Sequence, residues 1–103
     1  MRSPVDIKRK VYNRIKDYLS RDRTGLRRAL LNLFIRVKSL TVPEIFESLR
    51  HYFSISYHSI ASMVGVIASR LGILRVKRNP NERNSVYELK EKYIDIVRDL
   101  VTA

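Results

Sequence analysis

The sequence predicts a mostly helical α+β domain in which four helices are followed by a β-hairpin and a last helix. Apolar residues recur at helical spacing through most of the chain, the period changes to two near residue 74, and turn-forming residues separate two alternating stretches. With 103 residues, of which 45% are apolar, the chain has the size and composition of one domain around a single core. We therefore predict one domain over residues 1–103, made of residues 1–21, 24–90 and 91–103.

The first helix is predicted over about residues 4–20. Ser3 is expected to cap it, with Pro4 at the first helical position and Asp6 completing a Ser-x-x-Asp capping box. A second helix follows the break at Asp22–Gly25. The apolar stripes are Ile7, Val11, Ile15, Tyr18 and Leu19 in the first helix, and Leu26, Ala29, Leu30, Leu33, Phe34 and Val37 in the second.

Two capped helices come next, separated by a short turn. Thr41 and Glu44 form a Thr-x-x-Glu capping box, which predicts a third helix ending near Tyr52. Ser56 caps a fourth helix over about residues 57–71, and Gly72 stands where a left-handed residue ends a helix. The inner stripe of the fourth helix is Ile60, Val64, Ile67, Ala68 and Leu71.

The alternating stretches predict two strands. Leu74 and Val76 alternate with Arg75 and Lys77 in the first, and Tyr87 and Leu89 alternate with Val86 and Glu88 in the second. The turn formers of residues 79–84 make the connecting loop. A final amphipathic helix carries the stripe Tyr93, Ile94, Val97, Leu100 and Val101.

The chain is strongly basic, and the charge is unevenly distributed. It has 21 Lys and Arg against 10 Asp and Glu, a formal net charge of +11. Residues 1–40 carry 12 basic and 3 acidic side chains, whereas residues 41–72 carry 2 of each. Such a surplus indicates a polyanionic partner, although it also serves solubility.

Several classes of function are disfavoured by the residues present. No cysteine occurs, and the two histidines lack metal-ligand spacing, so we expect no metal site and no cofactor. We find no Gly-rich phosphate loop, HExxH motif or Ser-His-Asp set, and predict that the protein is not an enzyme. The absence of a long apolar run or a signal-peptide pattern leads us to expect a cytoplasmic protein that does not enter membranes.

Two short helices followed by a basic hairpin form the pattern of a helix-turn-helix with a wing. The run ASMVGVIASRLGILRV from Ala61 to Val76 and the run VYELK from Val86 to Lys90 carry a further likeness. The chain resembles winged-helix transcription regulators, and more closely a small uncharacterised archaeal winged-helix family. The resemblance implies a winged-helix core over residues 24–90 and binding to double-stranded DNA. Winged helices also serve as protein-interaction modules, which is the alternative function.

If the resemblance holds, the fourth helix is the recognition helix, and its first turn enters the major groove. Its outward residues include Tyr57, His58, Ser59 and Ser62. None of them is the Arg, Asn or Gln that discriminates bases through paired hydrogen bonds, so we expect weak or shape-based readout. Tyr57 alternatively packs in the core, and His58 is alternatively a solvated or capping residue.

Two basic groups complete the predicted DNA-binding set. Arg75, Lys77, Arg78 and Arg83 lie on or beside the hairpin tip, where they reach phosphates or the minor groove, or else protect an edge strand by charge. Arg23, Arg27 and Arg28, near the start of the second helix, either grip a flanking phosphate or form an ordinary solvated helix face.

Three further interpretations concern partners. The N-terminal and C-terminal helices either pack within the chain or pair with a second copy to form a homodimer. Met63 and Val66 suggest an apolar patch on the fourth helix, which would suit a protein partner. The basic amphipathic first helix also allows a membrane-surface role, which we rank last because its apolar side suits packing in the domain.

Overall fold

The computed structural model describes residues 4–102 of the chain. The predicted order of four helices, a hairpin and a last helix is confirmed, with one additional short strand. The elements are α1 Pro4–Ser20, α2 Leu26–Arg36, β1 Ser39–Leu40, α3 Val42–Leu49, α4 Tyr57–Val66 with a π-helical turn Ile67–Leu71, β2 Leu74–Lys77, β3 Val86–Leu89, a 3₁₀ turn Glu91–Tyr93, and α5 Ile94–Thr102.

The first two helices build much of the core. The predicted stripe of α1 is buried from Val11 to Leu19, whereas Ile7 is exposed one turn earlier. The predicted cap at Ser3 lies outside the described residues. In α2 the stripe differs from the prediction at two positions: Leu31 is fully buried, and Val37 is 41% exposed. Val37 ends the helix in extended backbone, which turns its side chain off the stripe.

Local capping signals place α3 and α4 as predicted. Thr41 Oγ1 accepts the Glu44 backbone N–H at 3.3 Å, and a Glu44 carboxylate oxygen accepts the Thr41 N–H at 2.8 Å. The Ser56 hydroxyl accepts the Ser59 N–H at 3.1 Å. α3 ends at Leu49, before the predicted end near Tyr52. After Leu49 the backbone forms separate hydrogen-bonded turns and not a continuous helix.

α4, the candidate recognition helix, and the turn that follows it together span the predicted residues 57–71. The α-helical part stops at Val66, and residues 67–71 continue as a wider π-helical turn. Gly72 then adopts φ 67°, the left-handed conformation expected of a glycine at a helix C-terminus. Ile60, Val64, Ile67 and Leu71 are buried along one side, as their spacing predicts.

The hairpin belongs to a three-stranded antiparallel sheet with strand order β1-β3-β2. Arg75 pairs with Glu88 across β2 and β3, and Ser39 pairs with Glu88 across β1 and β3. The inward face packs on α2 and on the π-helical turn, which buries Leu74 and Leu89. β1 was not predicted, because its two residues are too few to show an alternation of apolar and polar side chains.

The C-terminal helix closes the core from the other side. α5 contacts both α1 and α2, and this packing buries Tyr93, Val97, Leu100 and Val101. The apolar stripe of α5 is therefore covered within the chain. The exposed apolar residues of α1, namely Val5, Ile7 and Tyr12, remain on the surface of the described residues.

Candidate nucleic-acid interface

The first turn of α4 presents its polar side chains to solvent. Tyr57, His58 and Ser59 are exposed, and Ser62 is exposed one turn later. Ser56 caps this end of the helix. Besides accepting the Ser59 N–H, its hydroxyl donates a hydrogen bond to the Ser59 hydroxyl at 2.9 Å. Tyr57 packs edge-to-face on Phe46 of α3 with ring centroids 5.7 Å apart, so it is only partly available to a partner.

The corner between α1 and α2, residues 18–28, is held by a carboxylate at a helix N-terminus. Gly25 adopts φ 84° and provides no side-chain cap for α2. Asp22 takes over this role, since its two oxygens accept the backbone N–H groups of Arg27 at 3.2 Å and Arg28 at 3.1 Å. A negative charge at a helix N-terminus is favourable, because it satisfies unpaired N–H groups and interacts with the helix dipole. Asp22 therefore stabilises the corner and offsets part of its positive charge.

The three corner arginines that the sequence singled out have different surroundings. Arg27 donates to the Tyr18 carbonyl at 2.9 Å, and its guanidinium lies 4.4 Å from the centre of the Tyr18 ring. Arg28 donates to the carbonyl oxygens of Leu100 and Val101 at the end of α5. Arg23 is exposed, and no hydrogen bond or ion pair involves it within residues 4–102.

A cleft of about 560 Å³ separates the corner from α4. We call it the corner cleft. It gathers five of the predicted DNA-binding residues, three of them polar residues of α4 and two of them arginines of the corner. The five are Arg23, Arg27, His58, Ser59 and Ser62, and the further lining residues include Tyr18, Arg21, Asp22, Leu26, Met63 and Val66.

Tyr18 also lines the corner cleft, although the sequence did not indicate it as a site residue. It was assigned to the core stripe, and it is only 9% exposed. Its hydroxyl is buried and has no hydrogen-bond partner in the described part of the chain. Burial raises the pKa of this hydroxyl, against the lowering effect of the nearby Arg27 charge. The helical spacing of Tyr18 is the same as that of any aromatic residue on a buried face. The sequence therefore predicts that the ring is buried but does not show whether the hydroxyl has a partner.

The wing, residues 74–89, carries the second group of predicted residues. Arg75, Lys77, Arg78 and Arg83 are all exposed. Lys77 Nζ pairs with a carboxylate oxygen of Glu88, which is only 7% exposed. The hydrogen bond from Lys77 lowers the pKa of Glu88 below its usual value, and this outweighs the opposing effect of burial.

The wing residues do not line the corner cleft, and neither do Arg28 and Tyr57. Arg28 instead lines a shallow depression with Val101 and Thr102. Met63 and Val66, which suggested an apolar patch, are partly buried and form the apolar side of the cleft. Within residues 4–102, no group of three His, Cys, Asp or Glu side chains is placed to hold a metal ion, and no helix has the length and apolar character to cross a membrane.

Comparison with known sequences decides the family. The family described as "Protein of unknown function (DUF2551)" matches residues 15–97. The chain belongs to the DUF2551 family. An uncharacterised protein of the archaeon Archaeoglobus fulgidus is 42% identical over 92 residues, which is 88% of this chain and 92% of that protein. The resemblance to an uncharacterised archaeal family is thereby confirmed.

Solved structures similar to this DUF2551 protein are winged-helix regulators. A mutant MarR from E. coli complexed with operator DNA has a TM-score of 0.61 at 19% identity, covering 94% of this chain and 65% of that chain. Wild-type apo MarR has a TM-score of 0.63 and 19% identity over 95% and 71%. The PcaV transcriptional regulator of Streptomyces coelicolor has a TM-score of 0.62 and 20% identity over 98% and 74%. The winged-helix fold is confirmed, and the chain spans about two thirds of the DNA-bound MarR chain.

Proposed function

We propose that this DUF2551 protein is a non-catalytic, cytoplasmic DNA-binding protein that acts as a transcription regulator or architectural factor. α4 occupies the major groove, and the wing and the corner contact phosphates on either side of it. The observation that carries the proposal is the corner cleft, which brings the outward polar residues of α4 together with Arg23 and Arg27. The likeness in fold to a MarR structure that holds operator DNA supports the same partner.

The charge distribution supports phosphate contact as the main source of affinity. The net charge is +11, and both the corner and the wing carry exposed arginines, of which those of the wing lie outside the corner cleft. Cations that neutralise phosphates release condensed counterions, so affinity falls steeply with salt. Arg23, Arg78 and Arg83 carry this electrostatic contribution most directly, because their side chains are exposed and form no hydrogen bond or ion pair within residues 4–102.

Sequence selectivity is expected to be modest. The first two turns of α4 expose Tyr57, His58, Ser59 and Ser62, which reach phosphates or single base-edge atoms. Paired hydrogen bonds from Arg, Asn or Gln, which are worth about 1–3 kcal/mol of discrimination, have no source there. Shape and deformability of the duplex then determine most of the preference.

A homodimer is the assembly that we propose. The apolar stripe of α5 is covered by α1 and α2, so it is not the surface for a second copy. Val5 and Ile7 of α1 are exposed apolar side chains that suit this role. A two-fold dimer doubles the phosphate contacts, and sedimentation equilibrium measures it directly.

A protein-interaction module is the second candidate, and one surface favours it. A groove of about 650 Å³ runs between α2 and the segment after α3, lined by Leu33, Val37 and Phe53. Tyr52 at its edge is 82% exposed, and exposed aromatic residues beside apolar grooves are typical of interfaces. This function predicts a stable complex that survives moderate salt.

Fluorescence anisotropy on a random-sequence DNA duplex tests the proposal. We expect measurable affinity at about 50 mM salt and a loss of several orders of magnitude by about 200 mM if six or more phosphates are contacted. Arg23→Met should weaken binding, whereas Arg98→Met on α5, which removes the same charge outside the cleft lining, should leave it unchanged. Absence of binding at the lower salt, or equal losses in both variants, would refute the proposal.

A further inference from the structure

The corner cleft has a surplus of positive charge that its own acidic residue does not balance. Arg21, Arg23 and Arg27 line it, and Asp22 is the acidic residue of the lining. Both oxygens of Asp22 already accept backbone N–H groups of α2. Arg21 has a partner outside the lining, since its guanidinium lies 3.6 Å from Asp17 on an exposed helix face. Exposed pairs of this kind are weak, so the guanidinium remains available to an anion.

Hydrogen-bond donors face the cleft from both of its walls. On the α4 side, Ser62 contributes a hydroxyl that no hydrogen bond occupies within the described residues, and His58 contributes an imidazole. On the corner side, Arg27 is held in place by the Tyr18 carbonyl and ring. A guanidinium has five N–H donors, so one bond to a carbonyl leaves most of them available.

The Tyr18 hydroxyl is the independent observation that points to a ligand. Tyr18 lines the cleft, and its hydroxyl is buried and has no partner in the described part of the chain. Buried polar groups in folded proteins are nearly always hydrogen-bonded, and leaving one unpaired is costly. An acceptor that enters the cleft and comes within hydrogen-bond distance of this oxygen would remove the cost.

We propose that the corner cleft is a phosphate-binding site in which Tyr18, Arg23, Arg27 and Ser62 hold one phosphate group. A phosphate has several unprotonated oxygens around one centre, so it accepts hydrogen bonds from both walls and pairs with guanidinium forks. A carboxylate has two oxygens in one plane and suits such a two-walled site less well. The inference deepens the proposed function and rests on it where the phosphate belongs to DNA.

Two sources of phosphate fit the chemistry. One is the backbone of a duplex that lies along α4, because the same cleft is lined by His58, Ser59 and Ser62. The other is a free phosphorylated compound, since the volume of about 560 Å³ and the apolar residues Leu26, Met63 and Val66 match small-molecule sites. A free compound would compete with DNA for the first two turns of α4.

Removal of the Tyr18 hydroxyl tests the site with little risk to the fold. Tyr18→Phe deletes one oxygen that has no partner in residues 4–102, so the free energy of unfolding should stay the same or rise. Tyr12→Phe on the same helix is the matched control, because Tyr12 is exposed and lies outside the cleft. Ser62→Ala, at an exposed position, is a second variant that tests whether the α4 side of the cleft also contacts the phosphate.

Two measurements are made on the full chain and each variant. Thermal unfolding and calorimetry in potassium phosphate are compared with potassium chloride at equal ionic strength, and anisotropy follows a random-sequence duplex. We expect Tyr18→Phe to weaken phosphate or duplex binding about tenfold or more, as fits the loss of a hydrogen bond to a charged group. Ser62→Ala should weaken the same ligand, and Tyr12→Phe should match the wild type.

The outcomes separate the two sources and the two proposals. A loss on the duplex without measurable inorganic phosphate binding assigns the site to the DNA backbone. A loss on inorganic phosphate with unchanged duplex affinity assigns it to a free phosphorylated compound. Wild-type protein that binds phosphate through Tyr18 but never binds duplex refutes the proposed function and keeps the site. Equal binding of both ligands by Tyr18→Phe and Tyr12→Phe, or binding of neither ligand by the wild type, overturns the phosphate site.

Discussion

The corner and the wing are both basic, yet their cations are held in opposite ways. In the corner, Arg27 and Arg28 donate to backbone carbonyls and Asp22 caps the helix that carries them. In the wing, Arg78 and Arg83 extend from an exposed loop, and Lys77 alone is tied down, by Glu88. The basic residues of the sequence thus include side chains that stabilise the fold and side chains that are exposed and available to a partner.

The difference has a physical consequence for binding. In the proposed DNA complex, a fixed donor such as Arg27 would lose little conformational entropy when it meets a phosphate, so it would contribute orientation. Long flexible side chains such as those of the wing loop would lose more entropy on binding but reach phosphates at various positions, so they would contribute salt-dependent affinity.

The largest expected effect is on stability and comes from Arg28→Met. The variant keeps most of the aliphatic stem but loses the hydrogen bonds to the carbonyls of Leu100 and Val101. We expect the free energy of unfolding to fall by about 2 kcal/mol, the usual size for hydrogen bonds that involve a charged donor. Urea denaturation measures it, and Arg23→Met is the control, which should stay within about 0.5 kcal/mol of wild type. Equal stability losses in the two variants would remove the distinction that we draw between these arginines.

The next effect is on binding and comes from the wing. The double variant Arg78→Met with Arg83→Met should leave the unfolding transition in place, because both side chains are exposed. It should weaken duplex binding about tenfold and reduce the slope of log affinity against log salt by nearly two, as two lost phosphate contacts require. An unchanged slope would mean that the wing protects an edge strand and does not touch DNA.

A smaller effect is expected from Asp22→Ala in the corner. The variant removes the acceptors of the Arg27 and Arg28 backbone N–H groups, and losing such a cap costs about 1 kcal/mol. Duplex affinity should fall as well, despite the loss of a negative charge, because Arg27 loses its fixed position. Anisotropy and urea denaturation on the same preparation show both effects. Tighter binding at lower stability would mean that charge alone governs the corner.

The smallest effect concerns the pH dependence of stability through Glu88. Its folded-state pKa is lowered, chiefly by the hydrogen bond from Lys77. The stabilisation is therefore complete above the unfolded-state pKa of about 4.3 and is lost as pH falls through the lower, folded-state value. Glu88→Gln should flatten the acid side of the stability profile. Glu82→Gln in the exposed wing loop is the control and should leave the profile unchanged. Matching profiles for Glu88→Gln and wild type would contradict this role.

Local signals account for the parts of the fold that the sequence predicted well. The capping residues Thr41 and Ser56 and the terminal Gly72 act within a few residues of themselves, so their structural effect can be predicted from spacing alone. The strand β1 and the burial of Glu88 depend on the pairing of β3 with β1 and β2, which no local pattern contains.

The candidate site was predictable in composition and unpredictable in detail. Outward positions of α4 and the basic residues of the corner follow from helical spacing and charge. The sequence could not separate Arg28 from Arg23, since the carbonyls that Arg28 contacts lie 72 and 73 residues further along the chain. Nor could it show that the Tyr18 hydroxyl is buried without a partner in the described residues, because burial depends on tertiary packing.

An NMR titration of the isotope-labelled protein with a short DNA duplex tests the central claim most directly, because it locates the contact surface residue by residue. The account predicts the largest amide shifts at His58, Ser59 and Ser62 of α4 and around Arg23 in the corner, with smaller shifts in the wing loop. The amides of α5 should move less, since no residue of that helix lines the corner cleft. Shifts concentrated on the groove beside Tyr52, or the absence of shifts at α4, would contradict the account and favour the protein-interaction module.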